Sequence, residues 1–138
     1  MLDRFLEVAY LRHVRWLEIR GMINNLALSP NTQYAAYLVF KMIDAKGFQN
    51  CTLELTVGVG GSHTKIVSLD PKVEGRLHNR VVGSQCPSVR SDGWLEIEMG
   101  EFFCSGIENE EVLMSLLEIK AGNWKSGLFL EGIEIRPK

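Results

Sequence analysis

Most of this chain repeats with a period of two. In residues 34–42, Ala36, Leu38, Phe40 and Met42 fall on one side of an extended backbone, with Tyr37 and Lys41 on the other. In 51–59, Cys51, Leu53, Leu55, Val57 and Val59 alternate with Thr52, Glu54, Thr56 and Gly58. The same alternation sets Leu17 and Ile19 against Trp16, Glu18 and Arg20, and Leu95, Ile97 and Met99 against Trp94, Glu96 and Glu98. A helix cannot keep such a set on one face, because its side chains repeat every 3.6 residues. An antiparallel strand with one face buried and one face wet requires it. Several such segments, each too small to bury its apolar face alone, must pair and stack into layers.

Two further segments are less regular. Residues 111–120 carry Leu113, Leu117 and Ile119 on one side and Val112, Met114 and Leu116 on the other, so this strand is expected to be covered on both faces. In 128–135 the apolar phase slips from Leu128 and Leu130 to Ile133 and Ile135. One extra residue at Glu131-Gly132 repairs the phase, which predicts a β-bulge there. Segments 65–69 and 79–82 add short strands. Turn residues separate these runs at 28–32, 46–50 and 58–62, and 83–93 is the longest loop. A helical period occurs in residues 3–11, where Phe5, Val8 and Ala9 share a face behind a capping Asp3. The pattern predicts an all-β, antiparallel jelly-roll-like β-sandwich with one short N-terminal helix. Its expected core is Leu17, Ile19, Leu38, Phe40, Leu53, Leu55, Val57, Leu95, Ile97, Leu117, Leu130 and Ile135.

The 138 residues suffice for one domain. A formal net charge of -2 leaves no basic excess, which argues against nucleic acid as a partner. No run of about 18 apolar residues is present to span a membrane. The N-terminus lacks the basic-then-apolar order of a secretory signal. Cys51, Cys86 and Cys104 are odd in number and widely spaced, so they form neither a disulfide framework nor a metal pair. Cys51 and Cys104 sit among apolar residues and read as buried thiols of a reducing compartment.

Catalytic chemistry finds little support. His13, His63 and His78 are isolated and lack metal-type spacing, and no nucleophile elbow is present. Glu96 and Glu98 lie ~6–7 Å apart on one strand face, near the separation of a glycosidase pair. Such pairs come from different elements, and two carboxylates on an exposed strand read as a wet surface. Gly58-Val59-Gly60-Gly61 precedes no helix pattern and reads as a hairpin turn, not a dinucleotide loop. No catalytic residue, metal or cofactor is expected.

The tryptophans are more informative. All three stand at or just before strand-like alternation. Trp124 lies between Asn123 and Lys125 in a turn flanked by Gly122 and Gly127. An indole in such a setting can stack on the apolar face of a pyranose while Asn123 and Lys125 donate hydrogen bonds to its hydroxyls. Trp16 and Trp94 leave the polar faces of their strands and are secondary candidates. The competing reading makes them covers for a sheet edge or contacts of the N-terminal helix.

Four long segments together resemble a known family. They are 16–21 (Trp-Leu-Glu-Ile-Arg-Gly), 28–41 (Leu-Ser-Pro-Asn-Thr-Gln-Tyr-Ala-Ala-Tyr-Leu-Val-Phe-Lys), 92–103 (Asp-Gly-Trp-Leu-Glu-Ile-Glu-Met-Gly-Glu-Phe-Phe), and 123–128 with 132–138 (Asn-Trp-Lys-Ser-Gly-Leu and Gly-Ile-Glu-Ile-Arg-Pro-Lys). They are similar to the plant phloem protein 2 domain of Nictaba-like lectins, in its F-box-associated branch, from about residue 3 to the C-terminus. The resemblance implies a jelly-roll-like sandwich and non-catalytic binding of N-acetylglucosamine-containing or N-linked glycans, free or on glycoproteins. It also implies a plant cytoplasmic or nuclear setting. For F-box members it implies a second kind of partner, a protein recognised as a ubiquitin-ligase substrate. The expected domain is a single one over 1–138, N-terminally incomplete and with no F-box. It begins after the aromatic-rich segment whose tryptophans bind sugar in the family, and no residue is carried over from those.

Overall fold

The computed structural model describes residues 9–11, 17–48, 51–59, 63–69, 87–107, 109–118 and 124–138. These residues form nine strands and a short 3-10 turn at Asn25–Ala27. The strands are β1 (Ala9–Leu11), β2 (Glu18–Asn24), β3 (Thr32–Lys46), β4 (Thr52–Gly58), β5 (His63–Ser68), β6 (Ser88–Val89), β7 (Leu95–Cys104), β8 (Glu111–Glu118) and β9 (Ser126–Pro137). One sheet has the order β1-β9-β3-β7-β6 and the other β2-β8-β4-β5. Each pairing is antiparallel.

The alternation places the core between these two layers. Leu38, Phe40, Ile97, Met99, Leu128 and Ile135 face inward from the first sheet. Leu53, Leu55, Val57, Val67, Val112, Met114 and Leu116 meet them from the second. At roughly 1.5–3 kcal/mol for each buried large aliphatic side chain, this layer is the main stabilising element of the fold. Ile19, Leu95 and Leu130 pack against its margin. Cys51 and Cys104 are buried free thiols, and Cys86 lies outside the described residues.

The phase slip in β9 has the expected cause. Phe40 pairs with Leu130 and Val39 with Gly132, which leaves Glu131 as the extra residue. Gly132 adopts φ 150, a backbone that a side chain would strain. A second irregularity, in β7, was not expected. Ala36 pairs with Gly100 and Tyr37 with Glu98, leaving Met99 unpaired. Both Met99 and Gly100 then face the core. A Cβ on Gly100 would stand 3.1 Å from the Cβ of Val57, so glycine lets the sheets approach there.

Several expectations are corrected. Residues 9–11 are not helical: they pair as β1 with Leu128, Phe129 and Leu130 of β9. Backbone hydrogen bonding across the sheet overrides a weak amphipathic pattern. The rest of the expected helix, 3–8, lies outside the described residues, as do the expected strand 79–82 and the loop residues 83–86. Strand β8 is covered on one face only. Val112, Met114 and Leu116 are buried, whereas Leu113 and Leu117 are exposed, so Leu117 leaves the core list and Leu116 enters it. Within 34–42, Ala35 and Val39 are buried on the face expected to be wet, because β3 is a central strand with neighbours on both sides. The short strand β6 sits inside the segment expected to be a loop.

Candidate functional site

The end of β3 and the start of β9 lie together, with Lys46 opposite Ser126. Gly47 follows at φ 86 and packs directly on the next turn of chain. A Cβ there would fall 1.9 Å from the carbonyl oxygen of Trp124 and 3.0 Å from the Cα of Lys125. Gly127, at φ 88, makes the reciprocal approach: its Cβ would lie 2.6 Å from the carbonyl oxygen of Ile43. Two glycines therefore seat the backbone of residues 124–127 against 43–47 with no room to spare.

Lys125 secures this segment from within. Its side chain is 1% exposed, and Nζ lies 2.7 Å from Oε2 of Glu118, itself fully enclosed at the end of β8. The other carboxylate oxygen of Glu118 accepts a hydrogen bond from the Leu17 amide at 3.1 Å. The Glu118 amide in turn donates to the Leu17 carbonyl at 2.9 Å. One buried carboxylate thus joins the second sheet to the segment entering the first. A buried pair of this kind tolerates loss of neither partner, since the survivor would remain charged and desolvated. No buried side-chain nitrogen or oxygen among the described residues lacks a hydrogen-bond partner.

Above this base stands Trp124, 59% exposed. The structure separates it from Lys125, which was expected to offer its ammonium beside the indole but is committed to the interior. The sequence shows that Glu118 needs a buried partner and not which residue supplies it. Glu118 continues the inward phase of Val112, Met114 and Leu116, and a carboxylate at an inward position needs a buried cationic partner. Asn123 and Trp16 lie outside the described residues.

Trp94 belongs to a different surface, the outer face of the five-stranded sheet. It is half-buried, and the Lys41 ammonium sits over its ring, 4.5 Å from the centroid. Beside it runs an ion-pair network that sequence reasoning missed. Arg136 forks onto Glu96 through two contacts of 2.9 Å, and its Nη1 also reaches Glu134 at 2.9 Å. Arg90 meets the same Glu134 oxygen at 3.0 Å. The Arg136 guanidinium also stacks 3.7 Å from the Tyr37 ring centroid. Alternation places Tyr37, Glu96, Glu134 and Arg136 on one face, but it cannot show which of them pair. The Arg136 hydrogen bonds hold the Glu96 carboxyl below its usual range, although partial burial works against them. Glu98 and Glu101 are bridged by Lys138, at 3.2 and 2.6 Å.

Two clefts lie elsewhere. One, of about 360 Å³, opens between the sheets and is lined by Met22, Leu28, Met114, Ile133 and Ile135. The other, of about 500 Å³, is lined by Gln33, Lys65, Glu98, Glu101 and Phe103. Neither includes Trp94 or Trp124.

These features define an all-β sandwich domain that displays an aromatic residue from a fixed backbone. The chain belongs to the phloem protein 2 family, whose model matches residues 2–137. It is similar to the F-box protein PP2-B10 of Arabidopsis thaliana, at 47% identity over 98% of this chain and 50% of that protein. It is also similar to the putative F-box protein PP2-B12 and the F-box protein SKIP3 of the same plant. Identities there are 44% and 38%, covering 99% and 98% of this chain. The chain spans about half the length of these curated relatives. Among solved structures, the CBM22-1 xylan-binding domain of Paenibacillus barcinonensis Xyn10C is similar at a TM-score of 0.35 and 13% identity, over 88% of this chain and 71% of that one. A likeness of that degree carries no inference about ligand or site.

Proposed function

We propose that this chain is a non-catalytic carbohydrate-binding domain that takes N-acetylglucosamine-containing or N-linked glycans on Trp124. The observation that carries this reading is a large aromatic side chain left open to solvent on a backbone that is otherwise packed solid. Immobilising the platform before binding reduces the ordering cost that a weak, shallow site must meet. The indole face meets the C–H face of the sugar. Asn123 and the exposed Lys46, which lies opposite Ser126, supply donors for the hydroxyls in place of Lys125. Trp16 remains a secondary candidate, and Trp94, on a different surface, is a candidate only for a glycan contact apart from Trp124. The proposed setting is the plant cytoplasm or nucleus, with glycoproteins as the natural ligands.

A glycan array on the purified domain, followed by calorimetric titration with chitin oligomers, tests the reading. Binding should be seen in the parent and lost in Trp124→Ala. Unchanged binding by that variant would place the site elsewhere. A second reading, a protein-recognition module of an F-box lineage, is favoured by the wet face of the four-stranded sheet. Met22 pairs there with Leu113, and Leu117 and Ile66 flank the half-buried Glu54; the four apolar residues are exposed. A well-folded domain that binds no glycan on the array would favour it.

A further inference from the structure

The geometry points to Glu118 as a positioning residue for Trp124: through Lys125 it fixes the backbone from which the indole is displayed, and it does so across the two sheets. This rests on the reading of Trp124 as the sugar platform. Three observations converge on it. The Glu118 carboxylate divides its two oxygens, one to the Lys125 ammonium and one to the Leu17 amide, at 2.7 and 3.1 Å. Both charged side chains are fully enclosed, so the contact has no competition from water and little freedom to move. Lys125 follows Trp124 directly, and the peptide between them is the one that Gly47 packs against.

The roles divide accordingly. Gly47 limits how far the Trp124 peptide can sink toward β3. The Lys125 side chain anchors the next Cα from the other side, through the full width of the sandwich. With both in place the peptide plane that carries the Trp124 side chain is set. With the ion pair removed, residues 124–126 retain their strand neighbours but lose the inward tether, and the indole samples a wider range of orientations. Only part of that range is productive for stacking.

The test removes both charges together, Glu118→Gln with Lys125→Met, which leaves no buried charge and keeps an acceptor for the Leu17 amide. The full chain is labelled with 5-fluorotryptophan and followed by fluorine NMR. The Trp124 resonance is assigned by its loss in Trp124→Phe. The double variant should melt cooperatively near the parent temperature. Its Trp124 resonance should narrow and shift toward that of free fluorotryptophan, and affinity for chitin oligomers should fall about tenfold. Lys125→Arg, which can still reach Glu118, should retain more of the parent signal than the double variant. A Trp124 resonance unchanged in a folded double variant overturns the proposal, whatever the affinity. If the resonance responds but Trp124→Ala binds glycan as the parent does, Glu118 positions Trp124 and the sugar reading fails instead. Should that double variant not fold, Glu118→Leu with Lys125→Met, in which both side chains are apolar, decides the same question.

Discussion

At the scale of single residues, the molecule separates groups that present themselves to a ligand from groups that hold others in place. Trp124 is exposed and Lys125, its neighbour, is buried. Trp124→Ala should therefore weaken glycan binding by at least tenfold, about 1.4 kcal/mol, while shifting the melting temperature little, as exposed substitutions do. A large fall in melting temperature would show that the indole is structural. Glu96 gives a pH signature. Arg136 holds its folded pKa below the ordinary value of 4.5. Its contribution to stability is thus complete above that value and disappears as pH falls through the lower, folded one. Chemical denaturation measured between neutral pH and pH ~3 should show stability falling at the acid end, with a shallower fall in Glu96→Gln. Equal slopes in both would remove Glu96 as a source of the acid sensitivity. Trp124 was legible from the sequence because its polar, glycine-flanked setting has a direct physical meaning. The commitment of Lys125 was not, since its partner stands at Glu118, on another strand of another sheet.

At the scale of elements, the phase of each strand decides which side chains stabilise, and β8 is the sharpest case. Leu116 is fully buried, whereas Leu117, one residue along, is 39% exposed. Leu116→Ala should cost about 2–5 kcal/mol. Leu117→Ala should cost about 0.5 kcal/mol or less. Urea titrations of the two variants check this, and similar losses would mean that the outer face of β8 is covered. A turn gives the other test. Gly47→Ala adds a Cβ where the Trp124 carbonyl already stands, on a backbone of positive φ, so it should cost more than about 1 kcal/mol. Strands with a single apolar phase, such as Leu53-Leu55-Val57, were legible in full, and so was the β9 bulge, since an extra residue must shift the phase. The β8 reading failed because both of its faces carry leucines, and periodicity cannot say which face meets another layer. Residues 9–11 failed for a related reason: three residues have too little pattern to reveal a pairing partner far along the chain.

At the scale of the whole molecule, each sheet is closed by strands from opposite parts of the chain. β1 and β3 pair with β9, and β2 pairs with β8. Neither sheet can be completed by one half of the sequence, and neither can bury its apolar face without the other. The Glu118–Lys125 pair adds a polar tie between the layers at the end where Trp124 is displayed. Unfolding should consequently be all-or-none. Far-UV circular dichroism, which reports the strands, and tryptophan fluorescence, which reports Trp16, Trp124 and the half-buried Trp94, should trace the same urea transition with one midpoint. The native spectrum should be of β type, without the double minimum of helix. Because the decisive pairings join distant residues, refolding should fall in the slow range of β-sandwiches, milliseconds to seconds. Two separated midpoints would show that one sheet holds together alone, and the site at the Trp124 end would then depend on a local structure and not on the complete sandwich.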